Sequence, residues 1–294
     1  MLVTDNNFRL QFCISNATAA VDPLIPWTFF GRFLLVTFVS LAAPVFLAAE
    51  EASGDSVTAA EQLKAALRDQ TIIQSSAWLD TEWDQFSGGA KELTWTLGAL
   101  WGWHVRDQQD WALRFKLPIV YQRGDEASGL ADIGGIGDIE VATGTAFRLS
   151  NTWRTGGGME LHADTASNPA LGDNVWRLHS SWTVAHDVTN WVTLAPTAEY
   201  SHSVAEDHGA EPQRYLELSL PATIILPYDW SIGMRYKAKI DFENGDHWTH
   251  TADLGVAKRL STIPVVFSAT FEKTFDGGNK KFQVNLTMTY YFQK

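Results

Sequence analysis

A single cysteine, Cys13, occurs in the 294 residues. A disulfide framework, a thiolate metal cluster and a redox pair within the chain are therefore excluded. Basic residues are also scarce, with 22 Lys and Arg against 34 Asp and Glu, a formal charge of -12 and an isoelectric point near 5.0. Without a basic patch there is nothing to meet the phosphates of nucleic acid, and that class of partner is set aside. Past residue 49 no apolar run approaches the roughly 20 residues of a membrane-spanning helix. A mean hydropathy of -0.12 is likewise too polar for a bundle of such helices. What the chain has in plenty is aromatic residues, with 13 Trp and 16 Phe.

The first 49 residues differ from the rest. Arg32 precedes an apolar stretch from Phe33 to Ala49, which ends in small residues before Glu50 and Glu51, as a secretory signal does. Residues 1–31 make an unusually long leader before it, and a start upstream of the true one would explain them. A single membrane anchor is the alternative, disfavoured by the short apolar run. Residues 50–70 form a second zone in which Ala59, Leu63, Ala66 and Leu67 recur at helical spacing behind Thr58 and Glu61, the residues of a capping box. A short helix or a loose periplasmic arm is expected there, and a frayed terminus is favoured over a plug entering the fold.

From about residue 71 to the end the period is two. Phe282, Val284, Leu286, Met288, Tyr290 and Phe292 alternate with Lys281, Gln283, Asn285, Thr287 and Thr289. Successive side chains on a strand point to opposite faces, so this segment has one apolar and one polar face. Trp230, Ile232, Met234, Tyr236, Ala238 and Ile240 repeat the pattern against Arg235, Lys237, Lys239 and Asp241. These runs reach the roughly 9 to 11 residues that a tilted strand needs to cross a bilayer, whereas soluble strands average about 5 or 6. Aromatic residues gather near their ends, as in interfacial girdles.

The pattern predicts an all-β fold, an antiparallel transmembrane barrel of about 12 strands of the outer-membrane type. The strands fall near 74–84, 91–104, 111–123, 137–149, 155–165, 174–185, 191–204, 213–225, 230–243, 247–258, 264–274 and 281–292. The first is the least regular, because Trp78, Asp80, Glu82 and Trp83 alternate poorly. Connections alternate between tight ones, such as Arg106–Asp110 and Leu226–Asp229, and longer ones at Gly124–Ile136, Ala166–Asp173 and Ala205–Pro212. Short turns face the periplasm in such barrels, which places both termini there.

Gly134-Gly135-Ile136-Gly137-Asp138 is not a dinucleotide fingerprint, because the residues after it keep period two where a helix would be required. It predicts a glycine-rich loop entering a strand with Asp138 at its rim, and no cofactor is implied. The run from Gly135 through Gly137, Asp138 and Ile139 to Phe147-Arg148-Leu149 resembles the recurring motif of the phenol meta-pathway degradation protein-like family of outer-membrane transporters. A second likeness runs from Leu161 through Leu171-Gly172-Asp173 to Trp176, with His162-Ala163-Asp164-Thr165 where such proteins often carry Pro-Thr-Gly. The resemblance implies passage of small, hydrophobic or aromatic compounds across the outer membrane, and it brings no catalytic residues. Phe292, two residues from the end, lies close to the aromatic terminus that barrel-assembly machinery recognises.

Partners are thus the lipid bilayer, a small solute and that machinery. The candidate solute path is the set of charges on the inner face: Arg114, Lys116, Arg148, Glu160, Arg177, Glu199, Arg235, Lys237, Lys239 and Asp241, with Glu92, Glu140, His162, Asp164, His179, Glu217, Glu243, Asp253 and Glu272 beside them. Both signs are present, which fits either a weakly selective channel or an interior packed with ion pairs. Arg235, Lys237 and Lys239, three cations on one strand face, are the expected point of attraction. The rivals are a non-conducting structural barrel and a barrel hydrolase, the latter drawing on His202, His208, His247 and His250 with Glu206, Asp207 and Asp246 near the outer loops.

Overall fold

The computed structural model describes residues 58–67, 69–87, 89–123, 132–276, 278 and 280–292. The expected signal segment with Cys13, the loop residues 124–131 and the last two residues lie outside them. One helix, α1 (Ala59–Ala66), precedes the strands β1 (Ser76–Phe86), β2 (Lys91–Arg106), β3 (Gln109–Arg123), β4 (Ile133–Ile136), β5 (Ile139–Arg148), β6 (Trp153–Ala163) and β7 (Val175–Thr189). They are followed by β8 (Val192–Leu194), β9 (Thr197–Glu206), β10 (Arg214–Leu226), β11 (Trp230–Asp241), β12 (His247–Arg259), β13 (Val265–Asp276) and β14 (Lys280–Tyr291).

Every pairing is antiparallel, neighbours in sequence pair, and β14 returns to pair with β1 from Ser76↔Tyr291 to Phe86↔Lys280. The sheet is therefore a closed cylinder. Because β4 and β5 are two halves of one wall strand, and β8 and β9 of another, the fourteen segments make a barrel of twelve strands. Closure leaves no unpaired edge, the condition for a sheet to stand in lipid.

The outer surface carries the apolar half of each alternation. Leu113, Phe115, Leu218, Leu220, Met234, Tyr236, Leu254, Phe267, Phe271 and Leu286 are all exposed. A water-soluble domain rarely shows so continuous an apolar surface. Turns near 107–108, 149–152, 190–191, 227–229 and 260–264 lie at the end of the barrel that holds Ser75 and Phe292, whose backbones are joined by a hydrogen bond of 3.0 Å. The other end carries the loops around 87–90, 164–174, 207–213 and 242–246.

Two local expectations are corrected and a third is explained. The glycine-rich segment is not a loop: Ile133–Ile136 pairs with β3 as a strand, and the break comes after it. Ile119 pairs with Ile136 but Lys116 pairs with Glu140, so Gly137 and Asp138 form a bulge opposite Pro118, which has no N–H to give. The strand expected at 191–204 is interrupted at Ala195-Pro196 for the same reason, and Thr197 Oγ1 donates to the Ala195 carbonyl at 3.0 Å in place of a ladder bond. The first strand, β1, pairs with β14 from Ser76 to Phe86 and with β2 from Ser76 to Gln85. Its Asp80, Glu82 and Asp84 face inward with the other polar residues. Trp78 faces inward too, which is what blurs the pattern, and it fits because the residue opposite it is Gly98.

Candidate functional site in the barrel interior

The inner wall carries the polar half of each alternation, and its charges assemble across neighbouring strands. Arg114 of β3 donates to Glu160 of β6, and Lys116 donates to Glu140 of β5 and lies 3.7 Å from Glu160. Arg177 of β7 donates to Asp173 at 2.7 Å and to Gln213 at 2.6 Å, and its Nη2 lies 3.1 Å from His162 Nδ1. A guanidinium can only donate, so His162 Nδ1 is its acceptor, and His162 Nε2 lies 2.8 Å from Glu160. Glu140, Glu160 and His162 converge in a way that suits a cation. The cation held there is the ammonium of Lys116.

The second cluster lies across the barrel. Arg235 Nε donates to Asp253 at 2.6 Å, its Nη2 lies 3.5 Å from Glu272, and Lys237 Nζ is 2.7 Å from Glu272. Of the three cations expected to attract a solute, two are thus neutralised by carboxylates on adjacent strands. Lys239 is different, standing 4.4 Å from the centroid of the Tyr215 ring, which Arg177 also approaches at 6.0 Å. Glu199 faces His179 at 3.3 Å and accepts from Gln70 at 3.3 Å. Asp241 caps the turn at its own strand end, accepting from Glu243 N and Asn244 N, and Arg148 lies at the opposite end of the barrel.

The segment ahead of β1 occupies the interior at the end that holds Ser75 and Phe292. Thr58 and Glu61 form the expected capping box, worth about 1 kcal/mol. Leu63 and Leu67 pack with Ala257, Val266 and Tyr291, and Leu63 is 1% exposed. Room for Leu67 comes from Gly233 and Gly255, where a Cβ would stand 3.3 and 3.1 Å from it. The polar side of the segment reaches the opposite wall. Lys64 pairs with Asp187 at 2.7 Å, and Arg154 bridges Asp187 at 2.6 Å and Asp69 at 2.9 Å. Glu61 meets Arg148 at 3.3 Å. Contacts to β10–β13 on one side and β5–β7 on the other are possible only from within the cylinder, so residues 58–67 and 69–75 are seated in the lumen. This goes against the expectation of a frayed arm, for a reason the helical spacing of Leu63 and Leu67 does not reveal: two glycines on the wall receive Leu67, and Ala257, Val266 and Tyr291 receive Leu63.

Toward the other end the loop 164–174 is fastened to the wall by Asp138. The carboxylate accepts from Thr165 N and Ala166 N at 3.0 Å and from Asp173 N at 2.7 Å. Ile139 N in turn donates to Thr165 Oγ1 at 2.9 Å, and Ile136 N donates to Ser167 Oγ at 3.0 Å. Gly135 makes the close approach possible, since a Cβ there would lie 2.2 Å from Ser167 Oγ. Gly135, Gly137 and Asp138 are thus half of a clasp whose other half is the Thr165–Asp173 stretch. Replacing Asp138 with Ala removes the acceptor of three backbone N–H groups and is expected to cost about 2–4 kcal/mol of loop anchoring. Limited proteolysis of the folded protein should then cut within 164–174 where the parent resists.

Between clasp, wall and β1 lies a cavity of about 410 Å³ whose lining includes Trp78, Asp80, Glu82, Glu92, Lys116, Glu140, His162, Leu171, Asp173 and Arg177. The histidines of the hydrolase rival do not converge on it. His250 stacks with Tyr236 and Trp248, and His202 lies beside Tyr200, all on the outer face. His208 is exposed on an outer loop near Asp164 and Asp207.

A closed, twelve-stranded cylinder with an apolar outside and a charged inside defines the architecture of outer-membrane β-barrels. Among solved structures, the COG4313 outer membrane channel from Pseudomonas putida F1 superimposes with a TM-score of 0.65 at 15% identity, covering 75% of this chain and 96% of that one. The NanC porin matches with a TM-score of 0.50 at 12% identity over 74% of this chain and 100% of its own. The translocator domain of the autotransporter NalP from Neisseria meningitidis matches with a TM-score of 0.50 at 10% identity, over 78% and 91%. No protein-family model and no curated protein matches the sequence. At these identities the likeness establishes the fold.

Proposed function

We propose that the protein is a passive channel of the bacterial outer membrane for small solutes, with both termini in the periplasm. The observation that carries this is the inversion of the wall, apolar outward and charged inward, around a lumen that contains a cavity. A pore-forming wall needs both faces, whereas an enzyme needs a convergent catalytic set, and most of the interior charges here are paired across neighbouring strands. The mixed signs of Arg114, Lys116, Glu160, Arg177, Glu199, Arg235, Lys237 and Lys239 support steering of a solute by local charge over bulk selection of one sign. Residues 58–75 narrow the periplasmic end and set the width of the path. The resemblance to the phenol meta-pathway group supports an aromatic passenger, and the inward indole of Trp78 is the wall feature that suits one.

Two measurements test the proposal. The unheated protein should migrate faster than the heated one in detergent gels and should partition with membranes, as closed barrels do. Proteoliposomes containing it should swell in small neutral solutes and conduct in planar bilayers. A chain that stays soluble without detergent ends the membrane reading. Silence of both the full chain and a variant lacking residues 58–71 ends the channel reading.

A further inference from the structure

We infer that the outer wall carries a binding site for an anionic, phosphate-bearing lipid, with an acyl chain laid in a groove across β8 and β10–β13 and the headgroup held by Lys273. This goes beyond the channel reading and does not require the lumen to conduct.

The groove has a volume of about 500 Å³, and two adjacent rows of the ladder border it. One row runs Leu194, Ala222, Met234, Leu254 and Phe271, each paired with the next. The other runs Leu220, Tyr236 and Ala252. Ala222 and Ala252 stop short where their neighbours are long, which leaves a depression in a face otherwise filled by large side chains. A lipid chain gains by lying there, since wall atoms without a neighbour forfeit their dispersion contacts.

The second row identifies the headgroup. Its next member is Lys273, paired directly with Ala252 and two residues from Phe271 on the same face. Lys273 is exposed and makes no ion pair among the described residues. Beyond Ala252 the apolar face gives way to His250, whose Nδ1 lies 2.7 Å from the Tyr236 hydroxyl. Asp276, the carboxylate farther along β13, is registered with His250 and not with Lys273. A lysine on a lipid-facing wall is tolerated only toward the interface, where it can meet a counter-charge. A lipid whose chain fills the groove brings its phosphate to this point.

A second, independent observation gives the sign of the surface. Continued past Lys273, the same row crosses Phe282 of β14 and Gln85 of β1 to reach Lys91 of β2 and Arg123 of β3. Glu92 and Gln122 line the lumen, so Lys91 and Arg123 beside them point away from it. Neither has an ion-pair partner among the described residues, although the two stand directly opposite each other. Like charges so placed repel, and anionic headgroups relieve them. In a chain of formal charge -12, cations gathered on one outward row complement an anionic lipid.

Native mass spectrometry of the full-length protein in detergent tests this, with dimyristoyl phosphatidate and dimyristoyl phosphatidylcholine as lipids that share their chains and differ in headgroup charge. Phosphatidate should bind about fivefold more tightly, and Lys273→Gln should abolish that margin. Ala252→Trp fills the groove and should weaken both lipids several-fold, whereas Leu113→Trp, on the exposed face of β3, should change neither. Unaltered heat-dependent gel migration shows that each variant is still a barrel, and Ala222→Phe replaces Ala252→Trp if that one is not. Equal binding of the two lipids by the parent, phosphatidate binding unchanged in Lys273→Gln, or lipid binding unchanged by the groove-filling variant each overturns the site. So does displacement of phosphatidate by inorganic phosphate, which makes the site one for a free anion, or a dimer that the groove-filling variant dissolves, which gives the groove to a second copy. Retained lipid binding without any conductance or solute flux removes the channel reading and leaves the site standing.

Discussion

A chain that starts at Ile72 behind a cleavable signal is expected to conduct several-fold more than the full-length protein, and its proteoliposomes to admit larger neutral solutes. The segment removed holds α1, with Leu63 and Leu67 packed on Ala257 and Val266 and with Lys64 and Asp69 tied into the Arg154–Asp187 bridge. It contributes no strand, so the ladder from β1 to β14 survives its loss. Burial of Leu63 and Leu67 contributes about 2–3 kcal/mol each, and the truncated barrel should melt somewhat earlier as a result. Leu63→Asp should reproduce the conductance effect within the full chain, because a carboxylate cannot remain in that apolar pocket and the helix is driven off the wall. Conductance of the truncated protein equal to that of the parent would mean that the segment does not limit the path.

The second large effect is expected from Glu160, the hub of the first charge cluster. It receives Arg114, is 3.7 Å from Lys116 and is 2.8 Å from His162 Nε2. Glu160→Ala leaves Arg114 without its acceptor and removes the carboxylate beside Lys116 and His162 in a largely enclosed position, a change worth about 3–5 kcal/mol where a buried pair loses one member. Glu160→Gln keeps the shape and removes the charge alone. Both should displace the reversal potential toward anion passage, because Arg114 loses its carboxylate partner and faces the lumen while Lys116 stays on Glu140. Thermal unfolding should fall more for the Ala variant than for Gln. A reversal potential that does not move in either would place Glu160 away from the ion path.

The barrel itself was legible in the sequence because each wall strand carries its evidence locally, as in the Phe282 to Phe292 alternation, and because the bilayer enforces long strands. Ends were less so. The expected strand at 174–185 runs on to Thr189, since Asp187 continues the inward row to meet Lys64 and Arg154, partners far away in sequence. The interior pairs were half readable. Arg235 lies opposite Asp253 and Asp253 opposite Glu272, so the register of two hairpins already sets the second cluster, although strand boundaries known to within a residue are needed to see it. Asp138 could not be read this way. Its partners are backbone N–H groups 27 to 35 residues on, which have no signature in residue type. Trp78 was visible only as an irregularity, and the cause of that irregularity, Gly98, sits on another strand.

The pairing of Ser76 with Tyr291 has a bearing on how the molecule is made. Tyr291 at the end of the last strand belongs to the apolar cluster around Leu63, and its hydroxyl donates to the Gln62 carbonyl at 3.1 Å. The N-terminal helix therefore lacks part of its seat until the final strand has arrived beside the first. The pairing that closes the wall thus also completes the pocket into which the helix packs.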